Sequence, residues 1–126
     1  MKAARAVAVF IVSLRGLALR VRVLPTAADV DVECRQREGR RRRGTPKARA
    51  YFAPAARLCG VVGTIVLPAD GRLDELVPHE VVHAVLHRTG SVSRDRDESF
   101  ATDVGLLSAK IFLGLHRRGV LLGVAP

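Results

Sequence analysis

Residues Leu76 to His87 read LVPHEVVHAVLH. This stretch lies in a helix whose buried sides are supplied by Val77, Val81, Val82 and Val85. His79 and His83 stand at i and i+4, so both rings project from one face of that helix. Two imidazole nitrogens at that spacing can reach one Zn²⁺ at roughly 2.0–2.1 Å each. Glu80 lies about 100° further around the helix, beside the ion, where it can hold and deprotonate a water. This is the HExxH arrangement. The competing reading is an amphipathic helix that happens to carry histidines. It would leave Glu80 and two histidines facing an otherwise apolar neighbourhood without a partner, which is costly where they are buried.

A catalytic zinc takes three protein ligands and a water. His87 is the next i+4 step, but it stands about 12 Å along the axis from His79, too far for one ion on a straight helix. It reads as a cationic residue of the helix's last turn. Glu98, in RDRDESFATDVG, is the stronger candidate. It opens the following helix, and a helix–loop–helix return can bring it back over His79 and His83. Asp97 and Asp103 are rivals. Asp97 can serve instead as the N-cap, and Asp103 is too far around the helix to share the direction of Glu98.

The surrounding pattern is that of a mixed chain, which points to an α+β fold. LALRVRVL, Leu17 to Leu24, alternates over its second half and reads as a half-buried strand ended by Pro25. Thr26 followed by Asp29 is a capping-box start. A helix from Ala27 to Glu38 then puts Val30 and Cys34 on one face, although Val30, Val32 and Cys34 also alternate as in a strand. Gly39 to Lys47 is a turn. Ala48 to Ala53 reads as a strand, and GVVGTIVL, Gly60 to Leu67, is the clearest strand in the chain. PADGR turns the chain into the motif helix. That helix is capped by Asp74, carries Pro78 near its start and ends near Gly90. A second helix from Asp97 to about His116 shows an apolar stripe of Phe100, Val104, Leu107 and Ile111.

A length of 126 residues suits one domain able to bury its own core. An apolar share of 48% against 26% charged excludes a disordered tail, and with no Trp the core must be aliphatic. The main domain is expected over 17–118, with 1–16 a strand or unordered extension and 119–126 a tail. MKAARAVAVFIVSLRGLA resembles a signal peptide in its positive start. Its apolar run is too short to span a membrane, however, and GLA is a poor cleavage site. Cys34 and Cys59 form neither a CxxC pair nor a disulfide framework, so they read as small apolar fillers in a reducing cytoplasm.

The charge is concentrated in one place. Of the net +9, the stretch Arg35 to Arg49 carries +7. It reads as a solvated loop, or as an arm for an acidic partner or nucleic-acid phosphates. It has no interleaved aromatics on which bases could stack.

HEVVHAVLH followed by DESFATDVG resembles the minimal gluzincin-type zincins. That group includes the ImmA/IrrE-like peptidases and small zincin-like proteins of phages and bacterial genomes. The match runs from about Gly60 to Leu115. The resemblance implies a compact α+β fold with a small twisted sheet, an active-site helix and a glutamate-bearing helix. It implies zinc held by His79, His83 and Glu98, with Glu80 catalytic in peptide-bond hydrolysis of a protein or peptide substrate. The N-terminal half matches no pattern of that group. An extended substrate is expected to pair with the edge of the Gly60–Leu67 strand. A second oxyanion donor is expected from Tyr51, His116 or an arginine. The alternatives are a catalytically silent zinc-binding domain, or a basic nucleic-acid-binding protein with an incidental motif.

Overall fold

The computed structural model describes residues 4–38, 49–55, 60–89 and 97–120. The expected turn from Gly39 to Lys47, with most of the basic arm, lies outside them, as do Cys59 and the expected helix stop at Gly90.

The N-terminal apolar stretch is a strand. β1, Ala8–Leu14, runs antiparallel to β2, Leu17–Leu24. Arg15 and Gly16 join them, both at positive φ, 48° and 80°. That is the conformation a two-residue hairpin turn needs to match the twist of its strands. Leu17, Leu19, Val21 and Val23 of β2 are buried on one face, and Arg20 and Arg22 point to the other.

Thr26 and Asp29 start α1, Ala27–Glu38, as a reciprocal cap. The Asp29 amide donates to Thr26 Oγ1 at 3.2 Å, and the Thr26 amide donates to Asp29 Oδ2 at 3.2 Å. With that cap in place the helix wins over the alternating-strand reading. Val30 and Cys34 are buried together, as the helical spacing predicts.

β3 is Tyr51–Pro54 and β4 is Gly63–Pro68. The last strand begins later than its apolar run suggests, because Gly60 turns at φ 76° and residues 60–62 bend. The four strands are ordered β1-β2-β4-β3. β2 and β4 are parallel, and β3 is antiparallel to β4. The expectation of a substrate-binding edge on Gly60–Leu67 is therefore corrected: β4 is paired on both sides, and β3 is the edge beside it. Pro54 fits that place, since an edge strand tolerates a missing N–H. Gly63 is required where the two strands meet, because a Cβ there would lie 2.6 Å from the Phe52 ring.

α2, Leu73–Thr89, and α3, Asp97–Arg117, pack on the face of the sheet that carries the main core. Leu107 and Ile111 of the expected stripe are buried, Phe100 and Val104 pack partly buried against that core, and Leu115 extends the stripe by a turn. Gly114 lets α3 lie against the Phe10 ring of β1. α1 covers the opposite face, where Val30 joins Leu24 and Val66 in a smaller core. The fold is thus α+β. Among the described residues no helix is long and apolar enough to cross a membrane.

Glu33 ties that second face together. It accepts from Arg22 Nε at 3.0 Å and from the Tyr51 hydroxyl at 2.8 Å. Burial, reinforced by the hydrogen bond to Glu33, pushes the Tyr51 phenol up to about 12. The chain has one Tyr and no Trp, so phenolate absorbance reports this group alone. A titration of the folded protein should show a midpoint near 12, and one in concentrated urea should fall back to about 10. Because the folded value is the higher, Tyr51 adds stability below about pH 10 that is lost as pH rises through the folded value. Tyr51→Phe should remove that part of the alkaline destabilisation, read by thermal melts on both sides of the window.

Candidate active site

α2 is anchored by the Arg72 carbonyl, which accepts from the amides of Glu75 and Leu76 at 3.0 and 2.9 Å. Asp74 is therefore not the cap expected from the sequence. It lies in the first turn and accepts from Arg72 Nη2 at 3.1 Å. That bond holds its carboxyl below the usual carboxylate range. Pro78 lies inside the helix, where its missing N–H leaves the Asp74 carbonyl without its helical donor.

The rotation of α2 is set by burial. Val77, Val81 and Ala84 are 0% exposed and Val85 is 2% exposed. His79 and His83 lie on the opposite side and are exposed. The cost of unpartnered buried histidines, one ground for preferring a metal site, therefore does not apply to them. Of the three motif side chains only Glu80 is buried, at 4% exposure.

The histidine geometry is specific. His79 Nε2 and His83 Nε2 face each other at 3.3 Å, with the rings nearly perpendicular. Two ligand nitrogens bound at roughly 2.0–2.1 Å with a tetrahedral angle between them would lie about 3.3 Å apart. Without an ion, one ring can donate its N–H to the other. Glu80 Oε2 lies 3.9 Å from His79 Nε2, beside the pair. Burial raises the Glu80 carboxyl above the usual range, an effect that positive charge on His79 and His83 would oppose.

The pair opens onto a groove of about 510 Å³ walled by β3 and α2. The rings of Phe52 and His87 meet across it at 5.7 Å between centroids. His87 thus belongs to the groove and not to the ligand pair. A second cleft, of about 310 Å³, is lined by Arg49, Glu75, His79 and Glu80, with Arg49 Nη2 3.6 Å from Glu75 Oε1.

The remaining sequence candidates fall elsewhere. Glu98 is exposed in the first turn of α3. Among the described residues no group of three or more His, Cys, Asp or Glu side chains is placed to hold one ion. Asp97 is the first residue of α3, and Asp103 pairs with Arg15 at 2.8 Å. Of the oxyanion candidates, Tyr51 spends its hydroxyl on Glu33 at the opposite face of the sheet, and His116 stands exposed in the last turn of α3. Arg49 lines the cleft with Glu80. The role of β3 as the groove wall has no signal in the sequence. A strand was legible there, but which helix it would flank was not.

Comparison with protein-family models, with curated proteins and with solved structures finds no match to this chain.

The buried Glu80 has a measurable consequence. Its folded pKa lies above the unfolded value, so its contribution to stability is present below the ordinary carboxylate range and is lost as pH rises through the folded value. With chelator present, Glu80→Gln should melt at a higher temperature than the parent at pH 7. The gap should close at pH 4. Equal melting temperatures at pH 7 would mean that the carboxylate is not penalised by its surroundings.

Proposed function

We propose that the chain is a zinc-dependent metallopeptidase that hydrolyses peptide bonds of an extended protein or peptide substrate. The observation that carries this reading is the 3.3 Å approach of His79 Nε2 to His83 Nε2 at the mouth of a groove beside an edge strand. A ring-to-ring hydrogen bond can also hold the pair, but the spacing is the one a shared tetrahedral ion needs, and a buried carboxylate stands beside it. His79 and His83 would hold the ion, and Glu98 is the third ligand proposed from the sequence motif. Zinc in this setting supplies a Lewis acid that makes water acidic near neutral pH and polarises a carbonyl.

The chain's own residues supply the rest. Glu80 takes a proton from the attacking water and passes it to the leaving amine. Its raised pKa suits both transfers, since the proton must be accepted and then given up near neutrality. Arg49, which lines the cleft with Glu80, offers a cationic side chain to the developing oxyanion. The outer edge of β3, unpaired among the described residues, offers backbone groups to an extended substrate, and the groove beside it takes side chains. Lacking a disulfide framework, the chain suits a reducing cytoplasm.

Purified protein should bind one zinc per chain, and His83→Ala should lose it. A peptide library should be cleaved by the parent. Glu80→Gln, with zinc retained, should lose activity by about 10²–10⁴-fold. Arg49→Ala should lower kcat by about 10²–10³-fold with little change in KM. Zinc binding without turnover in any library would make this a silent zinc-binding domain. Absence of stoichiometric zinc would make the HExxH incidental.

A further inference from the structure

We propose a second docking site, at the opposite edge of the sheet, for an extended acidic segment of a partner protein. β1 is the other edge strand. Its sequence, AVFIVSL, contains no charge and no proline, the usual means of blunting an edge against strand addition. Along it lies a groove of about 340 Å³ lined by all four residues from Phe10 to Ser13. Successive strand side chains point to opposite faces, so a groove that touches four in a row follows the backbone itself. There, half of the N–H and C=O groups of β1 point away from β2.

The far wall is α3 with the turn that follows it, which contribute Lys110, Leu113, Arg117 and Arg118. These are three cations and one apolar side chain, and among the described residues no carboxylate lines the groove. Lys110 and Arg117 are seven residues apart, about 10 Å along the helix, the reach of about three residues of extended chain. Arg118 is held in place: its guanidinium lies 4.3 Å from the Phe10 ring centroid, and Nη1 donates to the Gly114 carbonyl at 3.0 Å. Leu113 on the α3 side and Ile11 on the other face of β1 are 47% and 58% exposed and give an incoming strand an apolar contact on each face.

That charge pattern selects the occupant. A second copy of this chain would bring the three cations of each groove toward those of the other, on chains of net charge +9. Single-stranded nucleic acid would want an exposed aromatic for stacking, and the one ring here, Phe10, is 7% exposed beneath Arg118. A segment alternating acidic and apolar residues satisfies the backbone edge, the cations and the apolar wall together.

The test uses the full chain and a fluorescent peptide of alternating Glu and Val, with a Lys-for-Glu peptide and an oligothymidylate as comparisons. The Glu peptide should bind at least tenfold more tightly than the Lys peptide, weaken with salt, and protect amides of residues 8–14 from hydrogen exchange. Lys110→Glu/Arg117→Glu, both exposed, should weaken it at least tenfold while far-UV circular dichroism stays unchanged. Four outcomes would overturn the proposal: equal binding of the two peptides; protection at β3 instead of β1; oligothymidylate bound in preference and lost in the same double variant; or a concentration-dependent doubling of mass abolished by Ile11→Lys.

Discussion

The burial of one side of α2 is the constraint on which the site depends. Val77, Val81, Ala84 and Val85 are together at most 2% exposed. Each buried valine is worth about 1.5–3 kcal/mol relative to exposure. A turn of the helix by one residue's angle would expose several of them and bury two imidazoles instead. His79 and His83 therefore face the groove because the core allows no other rotation. Glu80, one position on from His79, falls at the boundary between core and groove. Its carboxylate is desolvated by the same packing that fixes the ring pair. Rigidity and a perturbed proton affinity thus have one origin.

The order of the strands supplies the other wall. β2 and β4 are parallel neighbours, and parallel neighbours cannot be joined by a tight turn. α1 takes up the crossover and covers the face of the sheet left open by α2 and α3. β3 precedes β4 in sequence, and with β2 already on the other side of β4 it can pair only on the outside. That places Phe52 beside α2, and Gly63 of β4 leaves room for its ring. The groove is in this sense a product of topology, since none of its β3 residues belongs to the HExxH motif.

Local features were legible in the sequence, and non-local ones were not. Thr26 and Asp29 announced α1 because a cap is satisfied within one turn. The motif helix and the stripe of α3 were legible because periodicity reports which side is buried. The cap of α2 is less legible: Asp74 has the right chemistry, but Arg72 draws it into an ion pair. The partners of each strand have no local signature, so the apolar run of β4 does not show that it is paired on both sides. Tyr51 was open as an oxyanion donor until Glu33, 18 residues earlier in sequence, proved to accept its hydroxyl hydrogen. The reach of Glu98 depends on a return between two helices, and helix spacing alone does not encode that return.

The two edges of this sheet differ in the chemistry they offer an extended chain. Beside β3 the charges are mixed: Arg49 is paired with Glu75, and the groove next to it is lined by His79, His83 and His87 around the buried Glu80. An arrangement of that kind can move protons and stabilise charge that appears during a reaction. It has little means of selecting a partner by net charge. Beside β1 the lining is cationic, without a counter-charge among the described residues, and the guanidinium nearest the strand is packed on Phe10. Such a surface can select by charge but holds no group placed to transfer a proton. A strand added beside β1 would have β1, β2 and β4 between it and β3, across a sheet buried on its main face. Occupancy of the β1 edge therefore need not block the groove at β3, and a partner held at the first edge would leave the second free for a different segment.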